Sequence, residues 1–299
     1  HIGYEEIRKK RFKKMKKLGI ISTNIDPISS ELWPTWNELD RETKKKEAKR
    51  MAVYAAMVEA MDFHIGRLID FLEKSDELDN TMIIFLSDNG AEGNDPRVIL
   101  ENRVWIPQNF DNSIENMGNF DSHISYGPKW AEVSASPYKG YKGFTSEGGI
   151  KSPAFITYKG FKRQKSINDV LLSVMDIAPT ILEIANIEHP GDRYKERQVY
   201  PIKGKSMINF LMNKKNYIHS KNHVMGWELF NRIAIRHDNW KLVFIEPPHG
   251  NRKWSLYDLN QDPLEQNDLA DIKSDKLNEM ISYWYAYRDQ NGVIIDNDK

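Results

Sequence analysis

Apolar residues recur at three- and four-residue spacing from about residue 42 to residue 74, the strongest such pattern in the chain. This period predicts an amphipathic helix that buries one stripe against a sheet. The stripe consists of Met51, Tyr54, Ala55, Val58, Met61, Ile65, Leu68, Ile69 and Leu72. A shorter basic helix is predicted over residues 4–18, with Gly19 ending it.

Two short apolar runs differ from the helices because they are brief and rich in Ile or Phe. They cover residues 81–87 and 152–158. Runs of this kind, bounded by polar residues, are typical of strands buried on both faces of a parallel sheet. A further helix is predicted over residues 168–185, and Pro179 is expected to kink or divide it.

The pattern changes after about Gly204, where helices give way to short alternating runs. These runs predict a β-hairpin, a third strand and a closing helix. The strands are expected over residues 231–236, 240–245 and 254–259, and the helix over 273–287. We therefore predict an α/β domain over residues 1–203 and a small subdomain over 204–299, formed by an antiparallel sheet and a helix.

Charge and composition exclude several classes of function for this chain. The 299 residues contain 43 Lys+Arg and 43 Asp+Glu, so no net field marks a nucleic-acid or membrane binder. The absence of Cys excludes disulfides, zinc–thiolate sites and a cysteine nucleophile within this chain. No apolar stretch is long enough to span a bilayer. The chain opens with His1 in a charged segment, so we expect a piece of a longer protein, with no signal for localisation or oligomeric state.

Candidate chemistry begins where the run at 81–87 stops. Asp88 and Asn89 follow it, and Gly90 permits a sharp bend. Ligands of open α/β sheets lie beyond the carboxyl ends of the strands. The two side chains are hard oxygen donors, suited to Ca²⁺ or Mg²⁺. By themselves the three residues favour a strand followed by an Asx-type turn, with the metal site as the alternative.

Several passages, taken together and in order, resemble the sulfatases, within the arylsulfatase branch of the alkaline-phosphatase-like superfamily. Each passage by itself is only weakly specific for the family. Their occurrence in the same order, from about residue 4 to residue 290, is strongly specific. The similar passages are residues 51–62, 65–69, 77–93, 126–131, 141–153, 175–180, 226–230 and 254–263. The resemblance implies a mostly parallel, alkaline-phosphatase-like sheet flanked by helices, of which this chain holds an incomplete part.

The resemblance also implies a chemistry, the hydrolysis of sulfate monoesters with one calcium ion and a formylglycine nucleophile. It assigns Asp88 and Asn89 as calcium ligands and Lys142 as a contact to the sulfate group. The expected substrate is a small sulfate ester or a sulfated carbohydrate. His123 lies in a Gly- and Asn-rich segment ahead of Lys142, so it is either a substrate contact or a surface-loop histidine. His219 and His223 lack a surrounding helical stripe and are not expected to bind a metal.

The sequence departs from the family in one important respect. Formylglycine forms from Cys or Ser in a C/S-x-P-S-R motif, and this chain contains no such motif. We therefore expect the C-terminal part of a sulfatase, inactive and prone to aggregate by itself. Two alternatives are a phosphoester or phosphonate ester hydrolase of the same superfamily and a non-catalytic fragment that binds anions.

Overall fold

The computed structural model describes residues 2–22, 25 and 33–295. The fold is α/β, with a small antiparallel sheet and a helix in the C-terminal region, as the sequence predicted. The helices are α1 (Gly3–Lys17), α2 (Arg41–Lys74), α3 (Asn102–Asn109), α4 (Pro128–Ala135), α5 (Glu147–Ile150), α6 (Ile177–Ile184), α7 (Ile208–Leu211) and α8 (Ser274–Asn291). The strands are β1 (Ile83–Leu86), β2 (Ala154–Thr157), β3 (Arg193–Tyr194), β4 (Arg197–Gln198), β5 (Val224–Leu229), β6 (Arg232–His237), β7 (Trp240–Phe244) and β8 (Trp254–Asp258).

Internal contacts group the chain into two compact units. The first unit comprises the described residues of His1–Phe71, Asn89–Pro153 and Val224–Lys299, and the second comprises Leu72–Asp88 and Ala154–His223. The division of the chain between residues 203 and 204 stays a prediction about domains. Within the described ranges, no helix is both long and apolar enough to cross a bilayer.

The first unit contains the antiparallel sheet predicted from the alternating runs. Its strand order is β5–β6–β7–β8, each strand pairing with the next along the chain. Alternation places Ile235, Leu242 and Leu256 on one face, where all three are fully buried. Helix α8 covers this face with Met280 and Trp284. The hairpin, the third strand and the closing helix are confirmed, whereas β5 was not predicted as a strand.

Helix α2 has the predicted length, but the prediction that its stripe is buried is wrong over most of that length. Met51 is 7% exposed and packs with Tyr4, Trp130 and Val133. Farther along the stripe, Met61 and Leu68 are 44% and 56% exposed. The periodicity identifies which side chains share a face, but burial requires a neighbouring element that covers that face.

The second unit contains β1 and β2, which pair antiparallel with Leu86 opposite Ala154. The expected parallel pairing is therefore wrong for these strands, and no parallel strand pair occurs in the described ranges. Burial on both faces is also wrong, because β1 is half-buried and β2 is mostly exposed. Each strand of a two-stranded sheet has one unpaired edge, and Phe155 is 54% exposed although its ring stacks on Phe85 at 5.1 Å.

The helix expected over residues 168–185 is shorter than predicted. A 3₁₀ turn (Val174–Asp176) leads directly into α6, which starts at Ile177. Pro179 lies in the first turn of α6, where its missing N–H leaves no helical hydrogen bond unmade. Proline therefore marks the start of this helix and does not divide it. The core of this unit is formed by Phe161, Met207, Phe210 and Leu211.

Candidate functional site

The candidate metal ligands immediately follow β1. Asp88 is exposed and Asn89 is half-buried. The Nδ2 group of Asn89 donates to the carbonyl of Gly90 at 2.9 Å, which fixes the amide and leaves Oδ1 as its acceptor. A carboxylate and an amide oxygen suit a hard cation such as Ca²⁺. Calcium takes about six to eight oxygen ligands, so these two donors supply only part of a shell.

The residues after Asn89 contact the loop that carries Lys142. We call residues 139–149 the Lys142 loop. The amide of Lys142 donates to the carbonyl of Ala91 at 2.9 Å, and the amide of Gly90 donates to the carbonyl of Gly149 at 2.9 Å. These two bonds place the loop backbone directly beside the segment that follows the candidate metal ligands.

Glycine is required at this contact for steric reasons. A Cβ on Gly90 would lie 2.1 Å from the carbonyl oxygen of Gly148, and a Cβ on Gly149 would lie 2.0 Å from that of Phe144. Separations this short cannot be accommodated without moving the backbone. The glycines therefore allow the two segments to approach more closely than any other residue would.

The side chain of Lys142 makes an ion pair that sequence analysis did not anticipate. Its Nζ lies 2.7 Å from Oε2 of Glu92, and both side chains are almost half exposed. Partial burial raises the pKa of Glu92, but hydrogen bonds from Lys142 and Asn94 outweigh it and leave that pKa below its ordinary value. Glu92 lies in the same motif as Asp88, so an acidic residue four positions after a candidate metal ligand was the available signal.

Arg232 on β6 holds the Lys142 loop from another direction. Its Nη1 donates to the carbonyl of Gly143, and its guanidinium lies 4.2 Å from the ring centroid of Phe144. Gly143 has a φ of +92°, a conformation that side chains rarely adopt. Phe144 in turn packs edge-on against His249, with ring centroids 5.1 Å apart. Sequence analysis assigned no role to Arg232, because no local pattern relates it to Gly143.

A polar cavity of about 370 Å³ lies beside the Lys142 loop. Lys139 and Ser146 line it from the loop, and His249, Lys253 and Glu265 line it from the C-terminal region. Asp268 lines the cavity as well, so two lysines and two carboxylates contribute to its lining.

His123 lies in an aromatic cluster. Its ring packs edge-on against Phe110 at 5.1 Å and Trp105 at 6.2 Å, and its amide donates to Oδ1 of Asn112 at 2.8 Å. Among the described residues, no group makes a hydrogen bond to its buried Nδ1. These contacts describe a half-buried packing residue, and a role in substrate binding stays a prediction.

His219 and His223 meet in the second unit without forming a helix. Nε2 of His219 lies 2.8 Å from Oδ2 of the fully buried Asp176, and the two imidazole rings stack at 4.1 Å. Burial and the neighbouring His219 lower the pKa of His223. Stacked rings direct their nitrogen lone pairs along parallel planes, which is a poor geometry for sharing one ion. In the part of the chain that is described, no three His, Cys, Asp or Glu residues form a group able to hold a metal.

The chain belongs to the sulfatase family, because the family model described as Sulfatase matches residues 18–187. A second model, described as the C-terminal region of N-sulphoglucosamine sulphohydrolase, matches residues 140–283. The matches together span α2, the candidate metal ligands, the Lys142 loop and the C-terminal sheet. The resemblance that the motifs indicated is confirmed.

Individual relatives agree with this assignment. An uncharacterized sulfatase of Schizosaccharomyces pombe is 43% identical over 299 residues, covering 99% of this chain and 54% of the relative. The arylsulfatase of Klebsiella aerogenes is 38% identical over 206 residues, covering 69% of this chain and 44% of the relative. The chain thus spans about half the length of these relatives.

Solved structures with the same fold include a putative sulfatase. The structure of Ps i-CgsB in complex with k-i-k-neocarrahexaose has a TM-score of 0.55 at 19% identity, covering 95% of this chain and 54% of that one. The putative sulfatase yidJ of Bacteroides fragilis has a TM-score of 0.53 at 15% identity, covering 98% of this chain and 52% of that one. At such identities the likeness concerns the fold alone.

Proposed function

We propose that this chain forms part of a sulfuric ester hydrolase that cleaves sulfate monoesters. In this proposal Asp88 and Asn89 are calcium ligands and Lys142 contacts the sulfate group. The observation that supports it is the pair of backbone hydrogen bonds between Gly90–Ala91 and the Lys142 loop, which join the two predicted parts of the site.

The residues present supply binding and charge. A calcium ion, when bound, would supply positive charge to the sulfuryl oxygens. The ammonium of Lys142 is a compact cation with three donors, which suits the oxygens of a sulfate ester. Neighbouring glycines let the backbone approach closely and set the direction of that side chain. The chain contains no Cys and no C/S-x-P-S-R motif, so a formylglycine nucleophile would come from outside residues 1–299.

The proposed substrates are small sulfate esters or sulfated carbohydrates. The arylsulfatase of Klebsiella aerogenes supports the first class, and the N-acetylglucosamine-6-O-sulfatase of Bacteroides thetaiotaomicron, 26% identical over 227 residues, supports the second.

The first experiment measures calcium binding by isothermal titration of the complete gene product, comparing the parent with Asp88→Asn and Asn89→Ala. We expect each substitution to weaken binding, with Asp88→Asn the larger effect because it removes a formal charge. The control is Asp95→Asn, since Asp95 is a nearby acidic residue already paired with Arg97. Calcium binding that is absent, or equal in all four proteins, would contradict the assignment of these ligands.

The second experiment measures hydrolysis of 4-nitrophenyl sulfate by the complete gene product that contains these residues. Lys142→Ala is expected to lower kcat/KM by about 100-fold, comparable to the loss of one positioned electrostatic contact. Lys162→Ala is the matched control, because Lys162 is an exposed lysine that lies outside the Lys142 loop and outside the cavity lining. Preferential hydrolysis of 4-nitrophenyl phosphate, with two equivalents of zinc bound, would instead favour a phosphoester hydrolase.

A further inference from the structure

Three contacts connect the Lys142 loop to the C-terminal sheet. Arg232 donates to the carbonyl of Gly143. The buried hydroxyl of Thr145 donates to the carbonyl of Ile233 at 3.1 Å. The carboxylate of Glu147 accepts from Nζ of Lys241 at 2.8 Å. The contacts fall on alternate residues of the loop, so the loop is fixed along its length.

The contact at Glu147 belongs to a buried charge cluster. Lys241 is fully buried, and its Nζ lies 2.8 Å from Glu147 and 2.7 Å from Glu265, whose side chains are at most 6% exposed. Oε2 of Glu265 also accepts from the backbone amide of Glu147 at 2.8 Å. Glu265 therefore binds both the loop backbone and the lysine that holds the loop side chain.

The backbone of Glu265 indicates that these contacts determine its position. Its φ is +57°, in the left-handed region that non-glycine residues seldom occupy. Such conformations persist where surrounding contacts over-determine them, and they concentrate at functional sites. A buried lysine between two carboxylates is an expensive arrangement for a purely structural role, because apolar residues of similar volume stabilise a core as well.

We propose that Arg232 and the Lys241–Glu147–Glu265 cluster are positioning residues that set the location of the Lys142 ammonium through the loop backbone. This inference rests on the proposed function, because it gives the C-terminal sheet a part in binding the sulfate group. The loop is then held on one side by Gly90 and Ala91 and on the other by the sheet.

The test is a double-mutant cycle in the complete gene product, with 4-nitrophenyl sulfate as the substrate. Arg232→Met is expected to lower kcat/KM by about 10- to 100-fold, since misplacement by about 1 Å has effects of this size. In the Lys142→Ala background the same substitution is expected to have no further effect, because the group that it positions is gone. Additive losses in the double variant would overturn the inference.

A control variant and a milder variant distinguish an effect on the position of Lys142 from an effect on folding. Arg288→Met is the matched control, because Arg288 also lies over an aromatic ring, Tyr285 at 5.0 Å, but on α8. It is expected to leave kcat/KM unchanged. Thr145→Val keeps the side-chain volume and removes only the bond to Ile233, so it serves if Arg232→Met does not fold. It too should lower kcat/KM and lose its effect beside Lys142→Ala.

Hydrogen exchange tests the inference independently of hydrolysis. In the complete gene product, Arg232→Met and Glu265→Gln should each speed exchange of the Lys142 amide by about 10-fold or more, while β7 and β8 amides keep their rates. Unchanged exchange at Lys142 would overturn the positioning role. If Lys142→Ala leaves hydrolysis unaffected while the exchange result holds, the assignment of Lys142 fails and the positioning of its loop stands.

Discussion

The ammonium of Lys142 lies 2.7 Å from the carboxylate of Glu92. Glu92 thus occupies a place from which an anion would approach this lysine. The carboxylate is also held by the amide of Asn94 at 2.8 Å, so it does not depend on the lysine alone for its orientation. An anionic substrate that binds Lys142 must compete with this internal counterion.

The first prediction concerns the pKa of Glu92. Partial burial raises this pKa, whereas hydrogen bonds from Lys142 and Asn94 lower it by more. Lys142→Met should therefore raise the pKa of Glu92 from its lowered value, as measured by NMR titration of the side-chain carboxyl carbon. Lys139→Met is the control and should leave the titration unchanged. An unaltered Glu92 titration in Lys142→Met would show that the pair does not form in solution.

The second prediction concerns the glycine contact. Gly90→Ala would place a Cβ 2.1 Å from the carbonyl of Gly148, so the backbone must move. We expect a loss of about 1–3 kcal/mol in the free energy of unfolding, the usual cost of overpacking. Gly66→Ala on α2 is the control, since nothing lies within 4 Å of its added Cβ. That helix substitution should stabilise by about 1 kcal/mol. Urea unfolding measures both, and equal stabilities would contradict the close approach.

The third prediction concerns the buried charge cluster. Burial raises the pKa of Glu265 and outweighs the ion pair with Lys241, whereas at Glu147 the ion pair with Lys241 outweighs burial and lowers the pKa. A raised carboxyl pKa stabilises the fold below the ordinary value of 4.5, and this contribution disappears as pH rises through the raised value. Glu265→Gln should therefore reduce the decrease in the free energy of unfolding that occurs as pH rises from 4.5 through the raised pKa of Glu265. Glu147 contributes in the opposite direction, losing its stabilisation as pH falls through its lowered pKa.

Urea unfolding of the parent and Glu265→Gln at a series of pH values checks this expectation. Lys241→Met is the comparison within the same cluster, because it leaves the carboxylates of Glu147 and Glu265 buried without their cation. It should cost about 3–5 kcal/mol, the range for breaking one partner of a buried ion pair. Parallel stability curves for the parent and Glu265→Gln would count against the assignment of the raised pKa.

The fourth prediction concerns the histidine pair of the second unit. Burial and the nearby His219 lower the pKa of His223 from its ordinary value of 6.5. The unfolded chain then takes up a proton at His223 before the folded chain does, so stability falls as pH drops below the ordinary value. His223→Gln should reduce this acid sensitivity, as measured by thermal unfolding. His64→Gln, at an exposed position on α2, should leave it unchanged.

Local patterns predicted the elements whose pairing is itself local. The alternating runs around His237–Asn239 predicted the hairpin, because a short turn leaves neighbouring strands little choice of partner. The three- and four-residue period predicted α2, but not the exposure of Leu68, which depends on what lies opposite. The parallel pairing of β1 was wrong because an apolar run does not specify the direction of its neighbour.

Only part of the candidate site could be predicted from the sequence. Asp88, Asn89 and Lys142 were predicted through a family resemblance, since the motif at 88–90 alone favours a turn. Lys241 lies in an otherwise apolar strand, which was a signal that it is buried, but its partner Glu147 is 94 residues away. No short-range pattern relates such residues, and the three-dimensional contacts alone brought them together.

The meeting of Gly90 with Gly149 through main-chain atoms has an evolutionary consequence. Since no side chain takes part in that bond, the exposed side chains of the loop can change without altering the separation of the two segments. Substitutions at an exposed loop position such as Lys139 can therefore accumulate while the two backbones keep the same separation.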